Sequence, residues 1–581
     1  MNMNLSPEKI KKNYELLSSF MKENDLDVFY ISSFDNFLNE YVPTEECHRY
    51  YYTGFTGSMA ELLVVASHFD SAGVKLFVDG RYHEQADKEV DSSYCHVQKC
   101  PFHPDIAVYM ENLLKELQEI KGGALNIGIE RERTSLGLYE SHFLNHNVSA
   151  FESHRIGEFV GYKAYPIDQA GSLLDEGLGL SSFEQKRERV LKKDQALFIN
   201  AIDGLSWLLN IRAYQLPNQS SLAAKAFVTN EKVTLFVDDM SYVDESILSK
   251  YEVILSAKAS METFFKSQEN VKEVLFDPNQ TSFGDFEILK DFFGDKLHKQ
   301  VNLLTRFSSI KEEAELKLIK EAFESGDTAI FNALNEIYSL YEANEKVSEK
   351  QAYDIVGRSY ENEGSKAQSF KTISAAGPNG SIMHYSVPSS EAFLTKGELY
   401  LLDSGGYFRA GFATDTTRTI LLGESATAKQ KEIYTLVLKG LLQVQNAIFP
   451  QGTLGSQIDA LARSAMWAKG YDYAHGTGHG VGVNVHEGCF RLSPTSLIPL
   501  KANQVGSIEP GIYIPGYGGV RLENIAIVKK HPEFEGMLCF ENLVWIGFDH
   551  KLIDRSIMTE QELIWLDEYE NECLRRKRSF V

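Results

Sequence analysis

Apolar positions along the chain switch repeatedly between the spacing of a helix and that of a buried strand. At the start Ile10, Tyr14, Leu17 and Phe20 recur three or four residues apart, with Ser6 placed as an N-cap and Pro7 at the first helical position. Met1 to Met21 therefore reads as an amphipathic helix rather than a signal peptide. The run Val28-Phe29-Tyr30-Ile31 reads as a buried strand, and Val74 to Asp79, closed by a turn at Gly80, as another. The succession restarts near Ser182, with a helix over 183–193 and strands over 196–199 and 233–238. The ending Leu-Phe-Val-Asp occurs at 76–79 and again at 235–238. Two similar α/β domains in tandem would produce it, and so would chance convergence of two buried strands.

A third region opens at Ser309, which has capping-box spacing to Glu312, and Leu316, Ile319 and Phe323 then share a helical face. A helix is expected from Thr427 to Ile448, with Ile433, Leu436, Val437, Leu441 and Val444 on one side and Pro450 beyond its end. Another is expected from Ser456 to a stop at Gly470. Strand-like segments rich in glycine turns lie between and after these helices. The last fifty or so residues return to polar and helical patterns, as an appended module would.

Composition narrows the class. At 581 residues the chain exceeds what one core can organise, and 43% apolar with 24% charged residues is ordinary for a globular protein. No run approaches the ~18–20 apolar residues of a membrane span. The net charge of −23 argues against nucleic acid, whose phosphates call for a basic face. The basic run Arg575 to Arg578 is the exception, read as a solvated tail, with a localisation or interaction signal as the alternative. Six scattered cysteines without a CxxC pair suit reduced thiols in the cytoplasm, so any metal should be held by histidine and carboxylates.

Five segments of the third region put such groups at or near strand ends. Leu399 to Leu402 leads into Asp403, and Asp415 opens the strand Thr416 to Leu422. His475-Gly-Thr-Gly-His479 follows a helix, Glu509 ends Ser507-Ile508-Glu509, and Arg521 and Glu523 share one face of a returning strand. Each signal has a plain alternative: a turn aspartate, a structural histidine, a Glu-Pro-Gly turn. The His475–His479 spacing is not a zincin motif, because glycines stand between and no glutamate follows His475. The glycines over 476–482 follow a helix and precede a strand, the wrong order for a dinucleotide loop. Carboxylates beside buried strands are costly unless paired or metal-bound. Two divalent cations about 3.5–4 Å apart would remove their repulsion, hold a bridging water and polarise a carbonyl. Oxygen-rich ligation with one imidazole suits Mn²⁺ or Zn²⁺.

The order Asp403, Asp415, His479, Glu509, Glu523 resembles the ligand set of the pita-bread metallopeptidases. The blocks Ala376 to Tyr385, Leu402-Asp-Ser-Gly-Gly406, Thr414-Asp-Thr-Thr-Arg-Thr419, His475 to Gly482, Asn484-Val-His-Glu-Gly488, Ile508 to Tyr513 and Val520 to Asn524 resemble the aminopeptidase P family in its long, three-domain cytosolic form. Glu40-Tyr41-Val42-Pro43 with Gly54 to Ser58, and Trp207 to Arg212, are similar to that family's first and second domains. The resemblance implies two tandem creatinase-like α/β domains (1–155 and 156–308), a pita-bread catalytic domain (309–530) and a C-terminal extension packed on it (531–581).

It also implies hydrolysis of an N-terminal Xaa–Pro bond by a hydroxide bridging two metals, Mn²⁺ first, with Zn²⁺ or Co²⁺ as alternatives. Asp403 would hold one metal and His479 with Glu509 the other, Asp415 and Glu523 bridging. Glu509 would also move the proton, His384 and His486 would contact substrate and intermediate, His475 would line the pocket, and Arg521 would steady a ligating carboxylate. The family is dimeric, and Trp467 stands in a block similar to its dimer contact, a core-packing role being the alternative. The Asp403–Asp415 spacing is one residue longer than in the family; in the turn this is harmless, whereas inside a strand it would flip a carboxylate away. The segment after Arg212 also diverges, which bears on dimer contacts or substrate access. Prolidase action on Xaa–Pro dipeptides and a catalytically silent peptide-binding module are the competing readings.

Overall fold

The computed structural model describes residues 5–268 and 270–580; the first four residues of the expected opening helix lie outside that range. The helix runs Pro7–Glu23, its Ser6 side chain accepting from the Lys9 amide and Ile10, Leu17 and Phe20 buried. The chain divides into two compact units. One holds the chain to Leu173, Ser181–Pro217 and Ser221–Leu303; the other holds Leu174–Leu180, Asn218–Ser220 and everything from Leu304. Among the described residues no helix is long and apolar enough to cross a membrane, and all six cysteines are free.

The first unit contains two six-stranded sheets. In the first, β1 (Val28–Ile31), β2 (Glu61–Val65), β3 (Gly73–Val78), β4 (Cys95–Lys99), β5 (Asn126–Glu130) and β6 (Asn147–Phe151) lie in the order β4-β3-β2-β1-β5-β6. In the second, β7 (Gln195–Ile199), β8 (Lys225–Val228), β9 (Val233–Val237), β10 (Glu252–Leu255), β11 (Glu273–Phe276) and β12 (Leu297–Lys299) lie in the order β10-β9-β8-β7-β11-β12. Strand directions match throughout: β1 and β7 each pair antiparallel to the next strand and parallel to the fifth. The two Leu-Phe-Val-Asp sequences end the equivalent strands β3 and β9, which decides between repetition and chance in favour of repetition.

A second repeated sequence escapes pattern reading. Thr134-Ser-Leu-Gly137 and Thr281-Ser-Phe-Gly284 occupy equivalent positions after β5 and β11 and bind each other reciprocally. The Leu136 amide donates to the Thr281 carbonyl (2.9 Å) and the Phe283 amide to the Thr134 carbonyl (2.8 Å). Likewise Gly137 donates to Pro278 and Gly284 to Arg131, each at 2.8 Å. A Cβ on Gly137 would lie 2.1 Å from Asn279 Oδ1, so a larger residue there would displace the Asn279 side chain.

The second unit packs helices Glu313–Glu342, Glu349–Asn362, Ala428–Gln445, Gly455–Trp467 and Glu560–Arg575 around short sheets. The expected stripe Ile433, Leu436, Val437, Leu441 and Val444 is buried with Ile458, Ala462, Met466 and Leu566. Ser309 does not cap the long helix. It closes a short turn, Thr305–Ser308, and the helix begins one residue after Glu312, whose amide donates to the Glu315 carboxylate (2.8 Å). The irregular residues between let the Lys311 ammonium turn inward to the Ser308 carbonyl (2.7 Å) and the Glu487 carboxylate.

Two further expectations change. Trp467 is 49% exposed, which removes the core-packing role. The basic run is no solvated tail: Arg575 and Arg576 pair with Glu572, Arg576 and Arg578 with Glu324, and Arg578 is buried with its carbonyl accepting from the Gly547 amide (2.8 Å). Acidic partners on the long helix and on the run's own helix account for it. The last fifty or so residues also enter the sheet, because Met537–Asn542 pairs along Asn524–Lys530.

Candidate metal centre

Two sheets and a hairpin carry the candidate ligands. Ile373–Ala376, Leu399–Ser404 and Thr416–Leu421 form a three-stranded sheet with Leu399–Ser404 central. Asp403 lies in that central strand, and Asp415 immediately precedes Thr416–Leu421. Pairing runs unbroken from Leu399 opposite Leu421 to Ser404 opposite Thr416, so the extra residue lies in the connection and not in a strand. Asp403 stands opposite Thr417, two residues from Asp415, and both carboxylates stay on one face. The connection is fixed. A Cβ on Gly405 would lie 1.9 Å from the Thr414 carbonyl oxygen, Ala410 takes a left-handed φ of 59°, and the Ser220 hydroxyl reaches the Gly411 carbonyl (2.7 Å).

His479 sits in Gly478–Gly480, an inner strand of a six-stranded sheet in the second unit that also holds Asn524–Lys530 and Met537–Asn542, and Glu509 follows its neighbour Val505–Ile508. The His479 amide donates to the Ser507 hydroxyl (3.0 Å) and the Glu509 amide to the Thr477 carbonyl (2.8 Å). Glu523 falls between the strands Gly518–Arg521 and Asn524–Lys530. Thr417 ties this group to the first sheet: its hydroxyl donates to Glu523 Oε2 (2.8 Å) and accepts from Arg521 Nε (3.1 Å). Arg521 and Glu523 thus meet at Thr417, although the strand ends at Arg521 and they do not share a strand face as expected.

The side chains converge. Asp415, His479 and Glu523 each place a ligand atom within 4.8 Å of the others. His479 Nε2 lies 3.5 Å from Asp415 Oδ2 and 3.4 Å from Glu509 Oε1, while its Nδ1 faces the Gly480 carbonyl (3.1 Å). That carbonyl fixes the tautomer and leaves Nε2 for a cation. Asp403 takes a hydrogen bond from Arg521 Nη2 (2.5 Å) on one oxygen, while its other, Oδ1, is buried without a protein partner. A buried, unpartnered carboxylate oxygen beside three more carboxylates and an imidazole fits a divalent cation, which would satisfy it.

Electrostatics carry the same message. Glu523 titrates well above the ordinary carboxylate range through burial, then through Asp415, Glu509 and Asp403. Burial, aided by Asp415, also raises Asp403, and burial with Asp415 and Asp403 raises Glu509, against the opposing charges of Arg521 and, for Glu509, His479. Burial opposes charge on His479, yet Asp415 and Glu509 outweigh it and lift the imidazole to about 9. Four carboxylates are therefore close enough to repel one another, and the cluster binds protons where cations are missing.

The three remaining histidines differ. The His486 ring meets the His479 ring edge-on at 4.3 Å, and His384 is half-buried next to Met383, whose carbonyl accepts from Arg521 (3.3 Å). His475 has both ring nitrogens engaged. Nδ1 faces the Gly476 carbonyl (2.7 Å) and Nε2 the Tyr513 hydroxyl (2.8 Å), which in turn accepts from Arg521 (2.8 Å). Burial, then the charge of Arg521, holds His475 well below its ordinary pKa and so neutral. A chain of hydrogen bonds runs from it through Tyr513 and Arg521 to Asp403.

Supporting residues escaped sequence reading. Asp459 and Arg463 form a buried pair that takes the Thr477 hydroxyl (2.6 Å) and donates to the His475 carbonyl (2.8 Å), holding the loop that ends in His479. The buried pair Lys311–Glu487 anchors the segment next to His486. Asp459 and Arg463 are spaced i, i+4 on a helix, a signal that existed; nothing in the sequence marks Lys311 as the partner of Glu487.

Residues 317–530 match the metallopeptidase family M24, 14–143 and 172–315 the creatinase/prolidase N-terminal domain, and 536–580 the C-terminal region of M24 peptidases. The chain is thus an M24-type protein: two creatinase-type α/β domains followed by a pita-bread domain. A probable Xaa-Pro aminopeptidase P of Talaromyces stipitatus is 30% identical, covering 97% of this chain and 89% of that protein. The chain belongs to the Xaa-Pro aminopeptidase P family. Among solved structures it is similar to the X-prolyl aminopeptidase of Caenorhabditis elegans, a cytosolic enzyme with a di-nuclear active site, at TM-score 0.87 and 25% identity, covering 98% and 95% of the two chains. The prolidase of Pyrococcus horikoshii matches over 65% of this chain and all of its own, at TM-score 0.52 and 27% identity.

Proposed function

We propose that this protein removes the first residue of peptides whose second residue is proline, as a cytoplasmic, homodimeric aminopeptidase P. In this proposal the domains divide near residues 155, 308 and 530, and Trp467 lies at the dimer contact. The observation that carries the reading is the meeting of Asp415, His479 and Glu523 ligand atoms within 4.8 Å, with Glu509 against His479 and the unpartnered Asp403 oxygen in the same cluster of carboxylates. Asp403 would hold one cation, His479 and Glu509 a second, and Asp415 and Glu523 both, with Mn²⁺ the first choice and Zn²⁺ or Co²⁺ the alternatives. Bound there, two divalent cations supply charge neutralisation, an acidified water and a polarised carbonyl.

The rest of the chemistry belongs to the chain. Proline's nitrogen carries no N–H and its ring constrains approach, so the leaving imino nitrogen needs a proton delivered to it. Glu509 has the most exposed side chain of the three acids in ion-pair contact at this site, 18% against 6% for Asp415 and 11% for Asp403. It takes a proton from the attacking water and returns it to that nitrogen. His384 and His486 contact the substrate and the oxyanion of the tetrahedral intermediate. Arg521 holds Asp403 in place and is itself held by Tyr513 and His475.

Turnover of an Xaa–Pro–Pro tripeptide and of an Xaa–Pro dipeptide tests the reading. Release of the first residue from the tripeptide is expected. Hydrolysis of the dipeptide alone would make the protein a prolidase, and binding of both without hydrolysis would make it a silent peptide-binding module.

A further inference from the structure

On the strand Thr416–Leu421 the residue between Thr417 and Thr419 is an arginine, 1% exposed, whose hydrogen-bond partners are all neutral. Arg418 Nη1 donates to the main-chain carbonyls of Glu523 (2.6 Å) and Thr417 (2.9 Å). Its Nη2 donates to Asn524 Oδ1 (2.9 Å), the Tyr569 hydroxyl (2.9 Å) and the Ile546 carbonyl (2.8 Å), which Nε also reaches (3.2 Å). The Phe548 ring lies under the guanidinium, 5.0 Å from it. A cation buried this deeply is costly unless every donor is satisfied, and here satisfaction comes mainly from main-chain oxygens that have to be in fixed places.

One of those oxygens matters to the candidate metal site. Leu522 and Glu523 lie between two strands, and pairing resumes only at Asn524, opposite Ile508. The Glu523 amide donates to the Thr417 carbonyl (3.2 Å), and the Glu523 carbonyl is taken by Arg418. Arg418 is held in turn from the C-terminal segment. Tyr569, on the helix Glu560–Arg575, has its hydroxyl within reach of the Ile546 (2.9 Å) and Val544 (3.1 Å) carbonyls while it accepts from Arg418. Its ring stacks on Trp545 and Phe548, and the Trp545 amide donates to Asp327 on the long helix (2.7 Å).

We propose that Arg418, braced by Tyr569, is a positioning residue for Glu523, so that the C-terminal segment sets the metal affinity of a site it does not line. The proposal rests on the reading of Glu523 as a metal ligand. Ligand atoms have to sit within about 0.2 Å of their ideal distances, and a freed Glu523 peptide would carry its carboxylate further than that.

Calorimetric titration of Mn²⁺ into the metal-stripped full chain, with a melting temperature for each variant, tests it. Wild type is expected to bind two equivalents and Glu523→Gln fewer. Tyr569→Phe, which loses one hydroxyl, is expected to fold and to bind Mn²⁺ about three- to tenfold more weakly. Arg418→Lys, which cannot fork between carbonyls, is expected to lose about 10–100-fold; should it fail to fold, Tyr569→Phe decides. Mn²⁺ isotherms for Tyr569→Phe superimposed on wild type, whatever its melting temperature, would overturn the positioning role. Identical isotherms for wild type and Glu523→Gln would instead remove Glu523 from the ligand set and the proposal with it.

Discussion

The N-terminal sheets and the catalytic sheet bury different things. Strands β1 and β7 place Val28, Phe29, Ile31, Leu197, Phe198 and Ile199 in apolar cores, and the two domains share strand order and directions. The strand Leu399–Ser404 is as deeply buried, yet it carries Asp403 beside Asp415, Glu509, Glu523, Arg521 and His479. The first arrangement is stable through area removed from water. The second stores repulsion that protons or cations have to relieve. Fold and reactivity are thus placed in different parts of the chain, and each should respond to its own perturbation.

Glu509→Gln should show the separation most strongly. Removing the proposed proton carrier is expected to cut kcat/KM about 10²–10⁴-fold while the far-ultraviolet circular dichroism stays that of wild type. Leu76→Ala, at a fully buried position of β3, should do the reverse. A cavity there is expected to cost about 2–5 kcal/mol of stability in denaturant titration, with the Mn²⁺ equivalents bound unchanged. Loss of metal in that variant would mean that the two regions are not separable.

Arg521→Lys is a subtler cut. One ammonium cannot reach Asp403, Tyr513 and Thr417 together, and Mn²⁺ affinity is expected to fall about 10–100-fold, read by titration at fixed pH. Acidity gives the smallest effect. Asp403, Glu509 and Glu523 titrate above the values they have when unfolded. Their protonated forms therefore favour the metal-free fold below about pH 4, and that contribution is lost as pH rises through the folded values. His479, lifted to about 9, favours it below its unfolded value of 6.5 and loses that contribution as pH rises through about 9. Mn²⁺ displaces these protons, so it should raise the melting temperature by a few degrees more at pH 7.5 than at pH 5.5. Equal increments would contradict the proton-for-metal exchange.

Much of this was legible in the sequence, unevenly. Apolar runs such as Val28–Ile31 and the periodic Ile433 to Val444 stripe declare their elements, because burial acts on near neighbours in the chain. Asp403, Asp415, His479, Glu509 and Glu523 could be placed at strand ends one by one. Their meeting depends on strands more than a hundred residues apart, which no local pattern encodes, and the expectation of convergence came from family resemblance. Arg418 stands in the Thr414–Thr419 block with no local mark of its burial, since a lone charge among threonines reads as surface until both faces of its strand are covered. The basic run at 575–578 misled for the opposite reason: Glu324, its acidic partner on the long helix, is about 250 residues away.

The central claim is that five side chains form a two-metal site serving Xaa–Pro hydrolysis. It is tested most directly by stripping the protein of metal, adding back Mn²⁺, Zn²⁺ or Co²⁺, and following bound equivalents and Xaa–Pro–Pro hydrolysis in the same samples. No hydrolysis is expected without metal, and activity should rise with occupancy to two equivalents per chain. Full activity in the stripped protein, or no binding and no recovery with any of the three ions, would contradict it.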